Sequence, residues 1–204
     1  MIETTKQQLV SAASRLLDEG GQEAVTLRAV AERVGVSHNA PYRHFSGRAA
    51  LLAAVAERDF TTLKQTFEAN DAANPDPEKA LRAGASELIA YAMEHKARYR
   101  LLFSDPQLLP ETSLKDAAFG SFTAFAVIVA RCQDVGALPA VETTSLTGLI
   151  YSALHGAIDL HIGGRSSDAK GLGSVDATAD LLFDLLIVQS ASATRQPSRS
   201  KTRI

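Results

Sequence analysis

Apolar residues recur along this chain at intervals of three and four, the spacing of one face of an α-helix. Leu9, Ala12, Ala13, Leu16 and Leu17 mark a first helix over residues 7–19, closed by Gly20 and Gly21. Leu27, Val30, Ala31 and Val34 mark a second, with the Thr26 hydroxyl at its cap position. Gly35 follows where a chain leaving a helix often needs a positive φ. Val36 then packs under the turn, and Ser37 stands as the cap of a third helix over residues 38–45. Pro41 falls at the fourth position of that helix, where only the bond back to Ser37 is lost. A long helix follows from Arg48, with Leu51, Leu52, Val55, Phe60, Leu63 and Phe67 on its buried side. The run N-D-A-A-N-P-D-P at 70–77 breaks it. Beyond the break the spacing predicts helices over 78–95, 97–105, 114–134, 142–162 and 175–193. Pro106–Pro110 and the turn at 136–139 separate the middle ones, and the Gly-rich run at 163–174 is expected to hold no regular structure. No strand-like alternation and no internal repeat interrupts the pattern, so the expected fold is all-α with about nine helices.

Residues 27–45 therefore read as two short helices around a tight glycine turn, a shape that can present its second helix to the DNA major groove. The outer surface of that second helix carries His38, Asn39, Tyr42, Arg43 and His44. Asn pairs two ways with adenine and Arg with guanine, while Tyr, His and Ser commonly hold phosphates. Thr26, Arg28, Ser37, Tyr42, His44 and Arg48 are expected chiefly on phosphates, and His38, Asn39 and Arg43 on base edges. Leu27, Val30, Val34, Val36 and Phe45 are expected to be structural.

Charge changes the picture only locally. The whole chain carries a net charge of −2 with a pI near 6.2, which argues against a general basic coat. From Arg28 to Arg48, however, four Arg and two His face one acid, Glu32. A 46% hydrophobic, 22% charged composition is that of a globular protein. The richest apolar run, residues 119–132, is expected to be too short for a membrane span, being broken by Gly120, Ser121 and Thr123. The polar first eight residues do not read as a signal peptide. With one cysteine, Cys132, no internal disulfide forms, which fits a reducing cytoplasm.

Catalytic chemistry finds little support. His155 and Asp159 stand one helical turn apart, but His161 lies about 240° round from His155, so one helix does not converge all three on a metal. No activating group accompanies Cys132, which reads as a buried small residue. The glycine-rich run lacks the strand and lysine of a phosphate-cradling loop. No cofactor, no metal and no enzyme activity are expected.

Residues 8–55 closely resemble the N-terminal DNA-binding domain of the tetracycline-repressor (TetR) family of bacterial transcriptional regulators. The matching pieces are A-A-S-R-L-L-D-E-G-G, V-T-L-R-A-V-A-E-R-V-G-V-S, A-P-Y-R-H-F and G-R-A-A-L-L-A-A-V. A second likeness, Y-R-L-L-F-S-D-P at 99–106 and A-L-H-G at 153–156, is to a subgroup with a Trp-His-Gly sequence in its last domain; here Leu154 stands in place of that Trp. The resemblance implies a homodimer, a double-stranded operator, and a small-molecule effector enclosed by the C-terminal domain. It implies that the last two long helices pack against their mates; Ser152, Ala153, Gly156 and Ala157 allow close helix approach there and equally suit a contact within one chain. Expected domains are 1–47 for DNA binding, 48–70 as a connecting helix, 71–194 for ligand binding and dimerisation, and 195–204 as a disordered basic tail. Tyr91, Phe103, Phe122, Phe125, Tyr151 and His155 are candidate pocket residues, apolar walls with a few polar handles. The expected function is repression relieved by a ligand. A non-enzymatic ligand-binding scaffold and an activator or nucleoid-type DNA binder are the alternatives.

Overall fold

Thr4 opens the first helix with a reciprocal cap. Its hydroxyl accepts the Gln7 N–H at 3.3 Å, and the Gln7 side-chain oxygen accepts the Thr4 N–H at 2.8 Å. In the computed structural model, which describes residues 3–104 and 112–193, eight α-helices follow one another and the described residues include no strand. They are α1 (Thr5–Ala24), α2 (Leu27–Val34), α3 (Arg48–Ala73), α4 (Pro77–Glu94), α5 (Lys96–Ser104), α6 (Thr112–Asp134), α7 (Thr143–Ile162) and α8 (Val175–Ala193). The glycine-rich run holds a single 3-10 turn, Asp168–Lys170. The expected break at 106–110 and the basic tail at 195–204 lie outside the described residues.

Two of the expected helices change. Gly20 and Gly21 do not close α1 outright: Gly21 (φ 68°, ψ −167°) kinks it, and a further turn carries on to Ala24. The third helix, expected over 38–45, is one turn of 3-10 helix, Pro41–Arg43, after a turn at 38–40. Pro41 has no N–H to return to Ser37, so Ala40 N–H takes that carbonyl at 2.9 Å and the segment tightens to three-residue spacing. That removes one α-helix from the expected nine.

The chain packs as two compact units, Met1–Glu68 with Ala90–Ala124, and Ala69–Ile89 with Phe125–Ile204. Residues 90–124 group with the first 68, and α5 packs on α1. In the first unit Leu9, Leu17, Val30, Leu51, Val55 and Leu101 are fully buried. In the second, Leu81, Ile128, Ile150, Leu154, Ile158 and Phe183 form the centre, with α7 lying on α8. Leu154 thus fills core with an aliphatic side chain where the resembling subgroup has an indole.

The second unit also shows how its elements are pinned. Glu142 caps α7, its carboxylate accepting Thr144 N–H at 2.9 Å and Ser145 N–H at 2.5 Å, which draws its pKa down to about 2. The Arg131 guanidinium closes the end of α3 on the carbonyls of Asp71, Asn74 and Pro75. Ser113–Asp134 is long and apolar enough to cross a membrane by length and composition, although it contains the run, 119–132, expected to be too short. Gly120, Ser121 and Thr123 are too mildly polar to offset its Phe, Val and Ile. Leu114, Phe125, Ile128, Val129 and Cys132 of this helix are buried in protein.

Candidate nucleic-acid interface

The reading segment is built on one glycine. Gly35 (φ 78°, ψ 29°) ends α2 in the left-handed region, and its N–H bonds the carbonyls of Ala31 and Glu32. Val36 N–H returns to Ala31 O at 3.0 Å, completing the reversal. At the other end of α2, Thr26 Oγ1 accepts Ala29 N–H at 3.0 Å. Beneath the segment Pro41 is buried and Phe45 is 5% exposed, so the turn is anchored from below. Above it Ser37, His38, Asn39, Tyr42, Arg43 and His44 are all exposed, Tyr42 at 63%.

Ion pairs then sort the local positive charge. Arg33 binds Glu19 through both nitrogens, at 2.8 and 2.6 Å, and the hydrogen bonds hold that carboxyl below its ordinary pKa. Arg28 pairs with Glu32 at 3.0 Å along α2. Arg48, expected on phosphates, is engaged within the head: Nε donates to Val25 O at 2.8 Å and Nη2 to Gln22 O at 2.5 Å, clamping the end of α1. Of the four arginines between 28 and 48, Arg43 alone has no such partner among the described residues. The balance read from the sequence therefore overstates the free charge, because Glu19 lies 14 positions from the arginine it neutralises.

Behind the head sits a polar cluster that sequence reasoning missed. Asp59 of α3 is 1% exposed and accepts Arg98 Nε at 2.7 Å, Arg98 Nη2 at 2.6 Å and the Tyr91 hydroxyl at 3.0 Å. Arg98 Nη1 reaches Asp18 of α1 at 3.3 Å, and His95 Nδ1 lies 3.0 Å from the same carboxylate oxygen. Arg58 donates to Ser11 at 3.2 Å and Ser14 at 2.5 Å, both on α1. Burial works against the Arg98 charge, but its bonds to Asp59 and that carboxylate's field outweigh it and raise the guanidinium pKa. Burial, then the Asp59 charge, pushes the Tyr91 phenol far above its ordinary range, so it stays a neutral donor.

The six candidate pocket residues divide between the units. Tyr91, Phe103 and Phe122 belong to the first; Phe125, Tyr151 and His155 to the second. Phe103 stands edge-on to Phe60 at 5.4 Å and lies 5.0 Å from Tyr99, which is ordinary aromatic core. Phe125 packs against Gly84, where a Cβ would meet its ring at 3.4 Å. Tyr151 and His155 lie ring to ring at 4.0 Å, and burial pushes the Tyr151 phenol up to about 12. None of the six lines either of two clefts: one of about 200 Å³ between α7 and α8, and one of about 370 Å³ between α1 and α3. Asp159 is paired with Arg165 at 2.7 Å and His161 is exposed, so neither turns toward His155 as a metal ligand set. Cys132 is fully buried, and burial lifts its thiol to about 11.

Burial of His155 has a measurable consequence. It pushes the imidazole down from 6.5 to about 4, so the folded chain keeps it neutral where the unfolded chain takes a proton. This contribution to stability is whole above pH 6.5 and lost as pH falls to about 4, amounting to about 3 kcal/mol at most. His155→Gln should flatten the decline of Tm between those pH values relative to the unaltered chain. Parallel declines in the two proteins would sink the assignment.

Against known proteins, residues 9–55 match the family model described as bacterial regulatory proteins, tetR family, and residues 81–188 match the one described as tetracyclin repressor-like, C-terminal domain. The chain is 28% identical over 116 residues to the HTH-type transcriptional activator FasR of Mycolicibacterium smegmatis, covering 54% of this chain. It spans about half that relative's length, 53%. Among solved structures it resembles a protein of unknown function from Rhodococcus sp. RHA1 (TM-score 0.78, 24% identity, covering 92% and 96% of the two chains). It also resembles the fatty acid degradation regulator FadR from Bacillus halodurans (TM-score 0.72, 15% identity, 92% and 96%) and the regulator PfmR from Thermus thermophilus (TM-score 0.62, 20% identity, 89% and 97%).

Proposed function

The chain belongs to the TetR family of bacterial regulatory proteins and is a DNA-binding transcriptional regulator; we propose that it works as a homodimeric repressor, released from a palindromic operator by a small molecule. The observation that carries this reading is the exposed row His38, Asn39, Tyr42, Arg43 and His44, held on a Gly35 turn and free of ion pairs among the described residues. Tyr42, His44, Ser37, Thr26 and Arg28 hold phosphates; His38, Asn39 and Arg43 read base edges; Arg48 braces the head. One such segment reads only a few base pairs, so two copies on a dyad are needed for a specific site. The second copy meets α7 and α8, where Leu149, Leu181 and Leu185 are 56%, 60% and 57% exposed beside the small residues Ser152 and Gly156. The effector is an apolar molecule with one or two polar groups, met in the second unit by Phe125, Tyr151 and His155. A linkage of about 1–3 kcal/mol between the two ligands is typical of such switches. The protein acts in the cytoplasm, where its DNA is.

Selection from a random duplex pool at near-physiological salt tests this reading. A palindrome with half-sites about one helical turn apart, or a related spacing, supports it; enrichment without a shared site favours a nucleoid-type binder. No enrichment from folded protein leaves the scaffold reading. On the recovered operator, Asn39→Ala should remove about 1–3 kcal/mol of discrimination at one base position per half-site, while Tyr42→Phe weakens every sequence alike. Equal loss on all single-base variants with Asn39→Ala would take base reading away from Asn39.

Activation is the second reading, favoured by the name of the Mycolicibacterium smegmatis relative. A reporter carrying the operator separates the two: expression falls with a repressor and rises with an activator.

A further inference from the structure

We propose that Asp59 and Arg98 are positioning residues that fix how the reading head is set on α3 and α5, and thereby the half-site spacing the regulator accepts. The inference rests on the dimeric, operator-reading function proposed above. A buried ion pair is a poor source of stability, since desolvation offsets most of its attraction and apolar residues of like volume serve as well. What the pair adds is direction. The Arg98 fork meets Asp59 at 2.7 and 2.6 Å, and its third nitrogen reaches Asp18 of α1 at 3.3 Å, so one rigid plane joins α1, α3 and α5. Tyr91 of α4 bonds the same carboxylate, and Arg58, the neighbour of Asp59, holds Ser11 and Ser14 on α1.

Under α1, Leu9, Ala13, Leu17, Val55 and Leu101 are fully buried and apolar, and Arg48 of α3 ties only the far end of α1, at Gln22 and Val25. Apolar contacts are non-directional and do not by themselves fix an orientation. Hydrogen bonds of 2.6 to 2.7 Å do. DNA rises about 3.4 Å per base pair, so a head free to shift by a few ångströms engages half-sites one base pair nearer or farther. Spacing selectivity then draws on this cluster, away from any base.

The test compares the full-length chain with Asp59→Leu/Arg98→Met on duplexes carrying the selected half-sites at the selected spacing and at one and two base pairs either side. The unaltered chain should prefer its own spacing over its neighbours by about tenfold, the usual scale of a single operator defect. In the double variant that preference should fall to about threefold or less, with affinity for an isolated half-site and the melting temperature little changed. An unchanged spacing profile overturns the inference. If the double variant does not fold, Arg98→Lys serves instead, because it keeps a charge against Asp59 but has no fork to span Asp18. Full spacing selectivity in Arg98→Lys overturns the inference equally. An unaltered chain that selects no operator removes the function beneath the inference, and the inference with it, before any variant is compared.

Discussion

Truncation of Arg98 to alanine is expected to destabilise the chain by about 3–5 kcal/mol, the largest effect anticipated from any single side chain outside the apolar core. The cause is what remains. Asp59, 1% exposed, would keep only the Tyr91 hydroxyl at 3.0 Å and Arg58 at 3.4 Å, too little for a carboxylate taken out of water. Asp18 would lose a second partner at the same time. For a chain of this size such a loss lowers Tm by roughly 6–20 °C. Asp59→Leu/Arg98→Met should recover most of it, because the charge and its counter-charge leave together. Thermal or urea unfolding decides the matter. An Arg98→Ala protein within about 1 kcal/mol of the unaltered chain would mean that water reaches Asp59.

The second large effect concerns assembly. On the proposed α7–α8 dimer, Leu181→Glu with Leu185→Glu should yield a folded monomer whose affinity for the full palindrome is down by about 10²- to 10⁴-fold, the gain that two linked sites give over one. On α8, Asp180 and Asp184 are tied back by Arg82 of α4 at 3.2 and 2.6 Å, and Phe183 is buried. Leu181 and Leu185 are left outside, at 60% and 57% exposure, lining the cleft with Ala153 and Ala157 of α7. Exposed apolar side chains in such a row mark a protein interface, and two carboxylates buried there without partners oppose it strongly. As these positions are exposed in a single chain, the folded monomer should lose little stability. Sedimentation reads the assembly, and titration of full and half operators reads the DNA effect. A dimer that survives both substitutions would move the interface elsewhere.

Much of the head could be read in the sequence because its signals are local. Thr26 bonds three residues ahead, Gly35 is a single residue's φ, and the Leu27, Val30, Ala31 face needs only its own periodicity. The exposure of His38, Asn39, Tyr42, Arg43 and His44 follows from their polarity and not from a helical register. What escaped depends on contacts far apart in the chain. Arg48 looks like a phosphate ligand until it is seen folded back on Gln22 and Val25, 26 and 23 positions away. Glu19 and Arg33, or Asp59 and Arg98, have no spacing that announces them. Asp59 in particular falls among Leu52, Val55, Phe60 and Leu63 of α3 as one polar residue in an apolar face, the sole sequence hint of a buried partner. The reading segment failed for a different reason: Pro41 is compatible with an early helical position by rule, yet Ala40 captured the Ser37 carbonyl first.

The Arg48 clamp bears on how heads of this kind can be exchanged between proteins. A chimera joined at residue 47 would carry Gln22, Val25, Ser11, Ser14 and Asp18 away from Arg48, Arg58 and Arg98, the side chains that bind them. The foreign scaffold would have to supply three guanidinium groups at matching positions or accept a loosely seated head. Natural recombination faces the same restriction, so the portable piece is the first 68 residues together with 90–104, two stretches that a single crossover does not move as one.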